Sequence, residues 1–359
     1  MKNTIPCVLM RAGTSRGPFF LKEWLPLETA ERDRVLVAAI GSSDATQING
    51  LGGGTSLTSK VAIVSRSTRS DCEVDYLFAQ VGVGEKTVDT KPNCGNMLAG
   101  VAPFAIEQGL VQAKLGTTTV KVHNVNTGAR IDVTVQTPNG EIEYEGNVCI
   151  DGVTEPAAPV HLTFTDAWGA ATGKLFPTGQ SIDVIDGIEV TCIDAAQTMV
   201  LMRAKDFGLK GTESAQELDA TPGLIERLEF IRRKAGVMMG MGDVSSSVVP
   251  KPVLVSPHSD KGSIVSRYFT PKKCHTSHAV TGAIGVATAL AMPGTVASGE
   301  FFAVGEHELR VLHPTGMIQI AAVIAPSDRE NPQPYLASAS VIRTVRKIMQ
   351  GEFYVPKAV

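Results

Sequence analysis

Each half of this sequence carries a cysteine in a polar turn that opens into a run of small residues: Cys94 before MLAGVAPFAI, and Cys274 before HAVTGAIGVATAL. A helix so poor in large side chains packs closely on every side, as a helix enclosed by a sheet must. As sequence similarity the recurrence is weak. As architecture it predicts two pseudo-equivalent halves. The length of 359 residues agrees, because single cores stop growing at roughly 250–300 residues. The stretch from Asp151 to Gly187 is the least regular and rich in proline and glycine, so the junction is placed near its end. That gives domains of residues 1–183 and 184–339, with a strand at about 340–359 packing back on the first.

The local pattern fills in these halves. IPCVLM reads as a strand entering the turn-like RAGTSRG, PFFL as the next strand, and ERDRVLVAAIG as an amphipathic helix. GSSDATQINGLGGGTSLTSK is rich in turn residues and reads as a long functional loop feeding the buried strand VAIVS, with VDYLFAQVGV as another strand. TTTVKVHNVNTGARIDVTVQTPNG reads as two strands around an Asn-Thr-Gly turn. In the second half a helix is expected from about Pro222 to Ala235, with proline in its first turn and Gly236 as its stop. PKPVLVSP, SIVSRYFT and the runs from Phe301 to Ile324 read as strands. SVIRTVRKIM reads as a helix before a last strand, GEFYVP.

Composition excludes several classes. Apolar residues at 43% and charged residues at 19% describe a globular chain, and a net charge of -3 gives no reason to expect nucleic acid or an anionic membrane. No apolar run reaches the roughly 18 residues of a membrane helix, and MKNTIPCVLMRAG does not resemble a signal peptide. The six cysteines form no dense framework and read as reduced thiols of a cytoplasmic protein. Gly52-Gly53-Gly54 before Lys60 is not a phosphate loop, since Ser59 precedes the lysine and a strand follows it. No dinucleotide fingerprint, C-x-x-C pair or H-E-x-x-H occurs, so neither cofactor nor metal is expected. Cys274, His275 and His278 come nearest to a metal cluster.

Three segments carry chemistry. Thr55-Ser56-Leu57-Thr58-Ser59-Lys60 sets a lysine after hydroxyl residues at the mouth of an apolar strand, where desolvation would favour the neutral amine and a base; a snorkelling surface lysine is the plainer alternative. In Asn93-Cys94-Gly95-Asn96-Met97 a cysteine stands at a helix start, where the dipole favours the thiolate and free N–H groups can take a carboxylate; a buried packing cysteine is the alternative. Lys273-Cys274-His275-Thr276-Ser277-His278 is read the same way at the second helix. Arg11, Thr14, Ser15 and Arg16 form a polar turn that could hold a carboxylate or simply be solvated. Cys7, Cys72, Cys149 and Cys192 read as packing residues.

At these segments the chain resembles the 4-oxalomesaconate tautomerase and methylaconitate isomerase family, related in fold to diaminopimelate epimerase. The matching stretches are CVLMRAGTSRG, GGGTSLTSKVAIV, VDYLFAQV, DTKPNCGNMLAGVAPFAIE, VNTG, MGMGDVSSSVVPKPVL and CHTSHAVTGAI, which run over essentially the whole chain. The resemblance implies an α+β fold of two domains, each a mostly antiparallel sheet wrapped around a central helix. It implies Lys60 and Cys94 as catalytic groups of a cofactor-independent isomerase. Arg11, Thr14, Ser15, Thr55, Ser56, Ser59, Asn93, Gly95, Asn96, Met97, Cys274, Thr276, Ser277 and His278 are the expected substrate contacts. The expected partner is a small unsaturated polycarboxylate, and a homodimer is an allowed assembly. CHTSH departs from the glycine-rich cysteine turn of the epimerases, which favours lysine-centred isomerisation over a two-thiol racemase. An accessory protein that binds a partner enzyme is the reading from another class.

Overall fold

The computed structural model describes residues 4–165, 168–270, 272–298, 304–327 and 335–356. The chain forms two compact units, Met1–Leu162 with Ile342–Val359, and Thr163–Val341.

In the first unit the order is β1 (Thr4–Ala12), β2 (Ser15–Leu21), α1 (Thr29–Ile40), β3 (Lys60–Arg66), β4 (Val74–Val81), β5 (Val88–Asp89), α2 (Gly95–Leu98), α3 (Val101–Glu107), β6 (Gly116–Asn124), β7 (Arg130–Thr137) and β8 (Pro159–Phe164). β1 pairs antiparallel with β2, β2 parallel with β3, β3 antiparallel with β4, β4 parallel with β6, and β6 antiparallel with β7. The last strand of the chain returns to pair antiparallel with β1, from Thr4 opposite Tyr354 to Ala12 opposite Val345. One face of this sheet is covered by α1, through Leu36, Ala39 and Ile40 against Phe20, Val61 and Ile63. The other face receives α2 and α3, where Phe104 packs 5.7 Å from Phe19. The helix breaks at Ala99-Gly100, and a Cβ on Gly100 would lie 2.5 Å from the Phe19 ring. Glycine there lets the helix sit against the strand.

The second unit contains β9 (Asp183–Ile185), β10 (Ile188–Asp194), β11 (Thr198–Arg203), α4 (Ala215–Ala220), α5 (Leu224–Met238), β12 (Lys251–Pro257), β13 (Ser263–Tyr268), α6 (Val280–Ala291), β14 (Gly305–His313), β15 (Gly316–Ala325) and β16 (Tyr335–Tyr354), whose later part belongs to the first unit. From β10 to β15 the pairings run antiparallel, parallel, antiparallel, parallel, antiparallel. This is the same series as from β1 to β7 with β5 left aside, and helices are inserted at the same points. Lys60 opens β3 as Lys251 opens β12. All twelve residues of α6 are buried, as a helix of glycine and alanine enclosed by a sheet should be.

Three local expectations are corrected. SVIRTVRKIM is strand, part of the twenty-residue β16, because its β-branched residues sit in a ladder with β1 and β15 that outweighs helix propensity. The long helix starts at Leu224, after Gly223 in the left-handed region, and runs past Gly236 to Met238. Cys149 is exposed and is no packing residue. Residues 301–303 of the expected strand run lie outside the described residues.

Candidate active site

Side chains alternate across β4, so Tyr76, Phe78 and Gln80 share the face covered by α2 and α3. These three organise the two candidate catalytic residues. Lys60, the first residue of β3, lies directly opposite Gln80 and donates from Nζ to Gln80 Oε1 at 2.7 Å. Its Nζ also stands 5.1 Å from the Phe78 ring centroid, a cation–π distance. The Gln80 amide is fixed in turn, because its Nε2 donates to the carbonyls of Ser59 at 2.9 Å and Ser56 at 3.2 Å. Lys60 is thus held by its neighbours while remaining partly exposed.

At the other end of this row, the fully buried Tyr76 donates its hydroxyl to the Cys94 carbonyl at 3.1 Å. Burial holds its phenol well above the usual range, so it serves as a neutral donor. Cys94 is the extended N-cap of α2 and is 9% exposed. As at any helix start, the first N–H groups after it lack intrahelical acceptors. Asn93 accepts from Asn124 Nδ2 at 3.1 Å, and Asn96 donates to Thr14 Oγ1 at 3.0 Å. Asn126 pins the Phe78 backbone through both its carboxamide atoms, at 2.8 and 2.9 Å. Met97 is fully buried.

The loop before β3 is built around Gln47, which donates to Ser59 Oγ at 2.6 Å and accepts from the Gly54 N–H at 2.8 Å. Ser59 is fully buried and donates to the Thr55 carbonyl at 2.7 Å, so its hydroxyl shapes the loop, whereas Thr55 and Ser56 are exposed. Arg16 ties the loop to β2 through the Gly52 carbonyl at 3.1 Å. Arg11 Nη1 donates to Thr344, reaching the carbonyl at 2.5 Å and the hydroxyl at 2.8 Å. These bonds tie the β1–β2 turn to β16 through Nη1 alone. Gly13, in the left-handed region at φ +54°, makes that turn, and a Cβ on it would fall 2.1 Å from Asn96 Oδ1.

In the second unit, the expected helix-terminal thiol is corrected. α6 begins at Val280 with Ala279 as its cap, while Cys274 lies earlier, in an isolated bridge with Phe269. Its thiol sits in a hydrophobic cluster, and burial pushes it up to about 12. Its N–H donates to Asp219 Oδ1 at 2.7 Å. His278 is 1% exposed, bonded through Nε2 to Ser266 at 2.9 Å, and burial pushes it down to about 3, so the imidazole is neutral. Thr276 is exposed, and Ser277 donates its N–H to His275 Nδ1 at 3.0 Å. Among the described residues no group of three His, Cys, Asp or Glu side chains could hold a metal ion, and no helix is long and apolar enough to cross a membrane.

Sequence reading missed Gln80, Tyr76 and Phe78 as parts of the site. The alternation in VDYLFAQV places them on one face, but only the β3–β4 register sets Gln80 against Lys60.

A sheet around a central helix, twice over, is the diaminopimelate epimerase-like fold. The chain belongs to the PrpF protein family, whose model matches residues 2–356. It is 51% identical to YbhH of Escherichia coli over 98% of this chain and 99% of that one. It is 45% identical to 4-oxalomesaconate tautomerase of Pseudomonas putida, over 97% of this chain and 95% of the relative. It is 36% identical to 3-methylitaconate isomerase of Eubacterium barkeri, over 99% and 98%. Among solved structures, methylitaconate-delta-isomerase matches with a TM-score of 0.82 at 36% identity, covering 98% of this chain and 95% of that one. A hydroxyproline epimerase from Agrobacterium vitis matches at 0.54 and 12% identity over 98% and 92%, which shows the fold alone. The protein is an isomerase.

Proposed function

We propose that this isomerase shifts a double bond along a small unsaturated polycarboxylate by allylic proton transfer, and that its substrate is 4-oxalomesaconate, formed in the breakdown of gallate or protocatechuate. The observation that carries the reading is the fixing of Lys60 by Gln80 and Phe78 at the edge of the α2-covered face. A proton-transfer base needs a defined position and an open side, and this lysine is held by Gln80 and partly exposed. As the neutral amine, Lys60 removes a proton from carbon activated by an adjacent carbonyl or vinylogous carboxylate. N–H groups at the start of α2 stabilise the dienolate. The proton returns at the allylic carbon, from Lys60 or from the Cys94 thiol. No redox change and no leaving group are involved, so the step needs no cofactor.

The identity of 45% to a 4-oxalomesaconate tautomerase, against 36% to a 3-methylitaconate isomerase, supports the first substrate over the second. Methylitaconate and methylaconitate remain chemically parallel choices, since each is a polycarboxylate with a mobile double bond. Incubation of the purified protein in D2O with each acid, followed by NMR, tests the reading. Deuterium should enter 4-oxalomesaconate fastest. Exchange into methylitaconate or methylaconitate alone would reassign the substrate, and exchange into none would favour a non-catalytic binding protein.

A further inference from the structure

Arg343 is 7% exposed in β16, and its guanidinium is only partly used. Nη1 donates to the Ile342 carbonyl at 2.6 Å, and Nε is buried with no hydrogen-bond partner. The edge formed by Nε–H and Nη2–H is the fork that receives both oxygens of a carboxylate. A buried charged donor left unpaired is costly, so an orphaned guanidinium nitrogen calls for an explanation. Burial pushes the guanidinium down to about 10, against the favourable field of Asp151.

Its surroundings point the same way. Alternation along β16 sets Arg343 on the face of Val345, which lines a small cavity with Pro103 of α3. The next residue, Thr344, accepts the Gly13 N–H at 2.9 Å and receives Arg11, which ties β16 to the β1–β2 turn. Around that turn three more polar atoms are buried without partners: Ser15 Oγ, Arg16 Nε and Asn96 Oδ1. Asn96 belongs to α2, two residues after Cys94, and bonds Thr14 of the same turn. The β1–β2 turn thus carries unused hydrogen-bonding capacity, and β16 borders it through Thr344, the residue after Arg343.

We propose that Arg343 seats one carboxylate of the substrate through its Nε–Nη2 edge. The assignment deepens the isomerase reading and rests on it for the identity of the anion. It makes Arg343 a cation that receives a polycarboxylate.

The test separates binding from turnover. Tricarballylate, a saturated tricarboxylate with no double bond to move, is titrated calorimetrically into the full-length wild type, Arg343→Gln and Arg343→Lys, with thermal melting of each unliganded protein. The expected result is binding by the wild type, weakened about 10- to 100-fold in Arg343→Gln, as for loss of hydrogen bonds to a charged group, with Arg343→Lys in between. Equal affinity in wild type and Arg343→Gln, or no binding by the wild type, would overturn the proposal. Should Arg343→Gln fail to fold, Arg343→Lys decides, because it keeps the charge and removes the fork; unchanged affinity there overturns the proposal equally. Binding lost in the variants alongside a wild type that exchanges deuterium into no polycarboxylate would uphold Arg343 and sink the isomerisation instead.

Discussion

Gln80 Oε1 accepts a hydrogen bond from Lys60 Nζ at 2.7 Å while the Gln80 amide nitrogen is tied to the Ser59 carbonyl, so the residue before the lysine helps to orient the group that holds it. This closed arrangement fixes the carboxamide with its oxygen toward the amine.

Replacing that acceptor by a charged one should therefore move the pH dependence in a known direction. In Gln80→Glu the new carboxylate would pair with the ammonium at the expense of the neutral amine and shift the rise of activity to higher pH. Activity near neutrality should fall about tenfold and recover as pH increases. Gln80→Leu should lower kcat at all pH values with little change in KM. Superimposable pH–rate profiles for wild type and Gln80→Glu would remove Gln80 as a positioning residue.

Thiol reactivity follows exposure first. Cys149 is exposed, whereas Cys7, Cys72, Cys94, Cys192 and Cys274 are buried, with burial pushing Cys192 and Cys274 up to about 12. Iodoacetamide followed by mass spectrometry should label Cys149 first and Cys94 second, with polycarboxylate protecting Cys94 alone. The helix-start position expected from the sequence gives Cys94 its place ahead of the other buried thiols. Protection of Cys149 and indifference at Cys94 would place the ligand elsewhere.

How much of this was legible depended on whether a feature is local. Lys60 at the mouth of a strand and Cys94 at a helix start follow from a few neighbouring residues, and the structure has both. The enclosed central helices followed from their small side chains. Contacts set by strand register were hidden: nothing in VDYLFAQV says that Gln80 faces Lys60. Arg343 was missed because SVIRTVRKIM carries enough charge at helical spacing to suggest a helix, and only pairing with β1 and β15 decides for a strand. Cys274 misled because its polar turn resembles that of Cys94, yet its bridge to Phe269 and the buried His278 delay the helix to Val280.

His278 gives acid stability a defined sign. Its folded pKa is pushed down to about 3, below an ordinary unfolded value of about 6.5, so the unfolded chain binds the extra proton across that window. Stability from this site is complete above about 6.5 and declines as pH falls toward about 3. Melting temperatures should show the wild type losing its advantage over His278→Gln across this range. A constant difference between the two would mean that His278 does not titrate on unfolding.

The central claim is that Lys60 moves the proton, and the most direct measurement is deuterium incorporation from D2O into 4-oxalomesaconate by wild type and Lys60→Met, with circular dichroism confirming that both fold. Loss of a positioned acid–base group should slow exchange and turnover by about 100-fold or more in Lys60→Met. Exchange and turnover near the wild-type rate in the folded Lys60→Met protein would contradict the account.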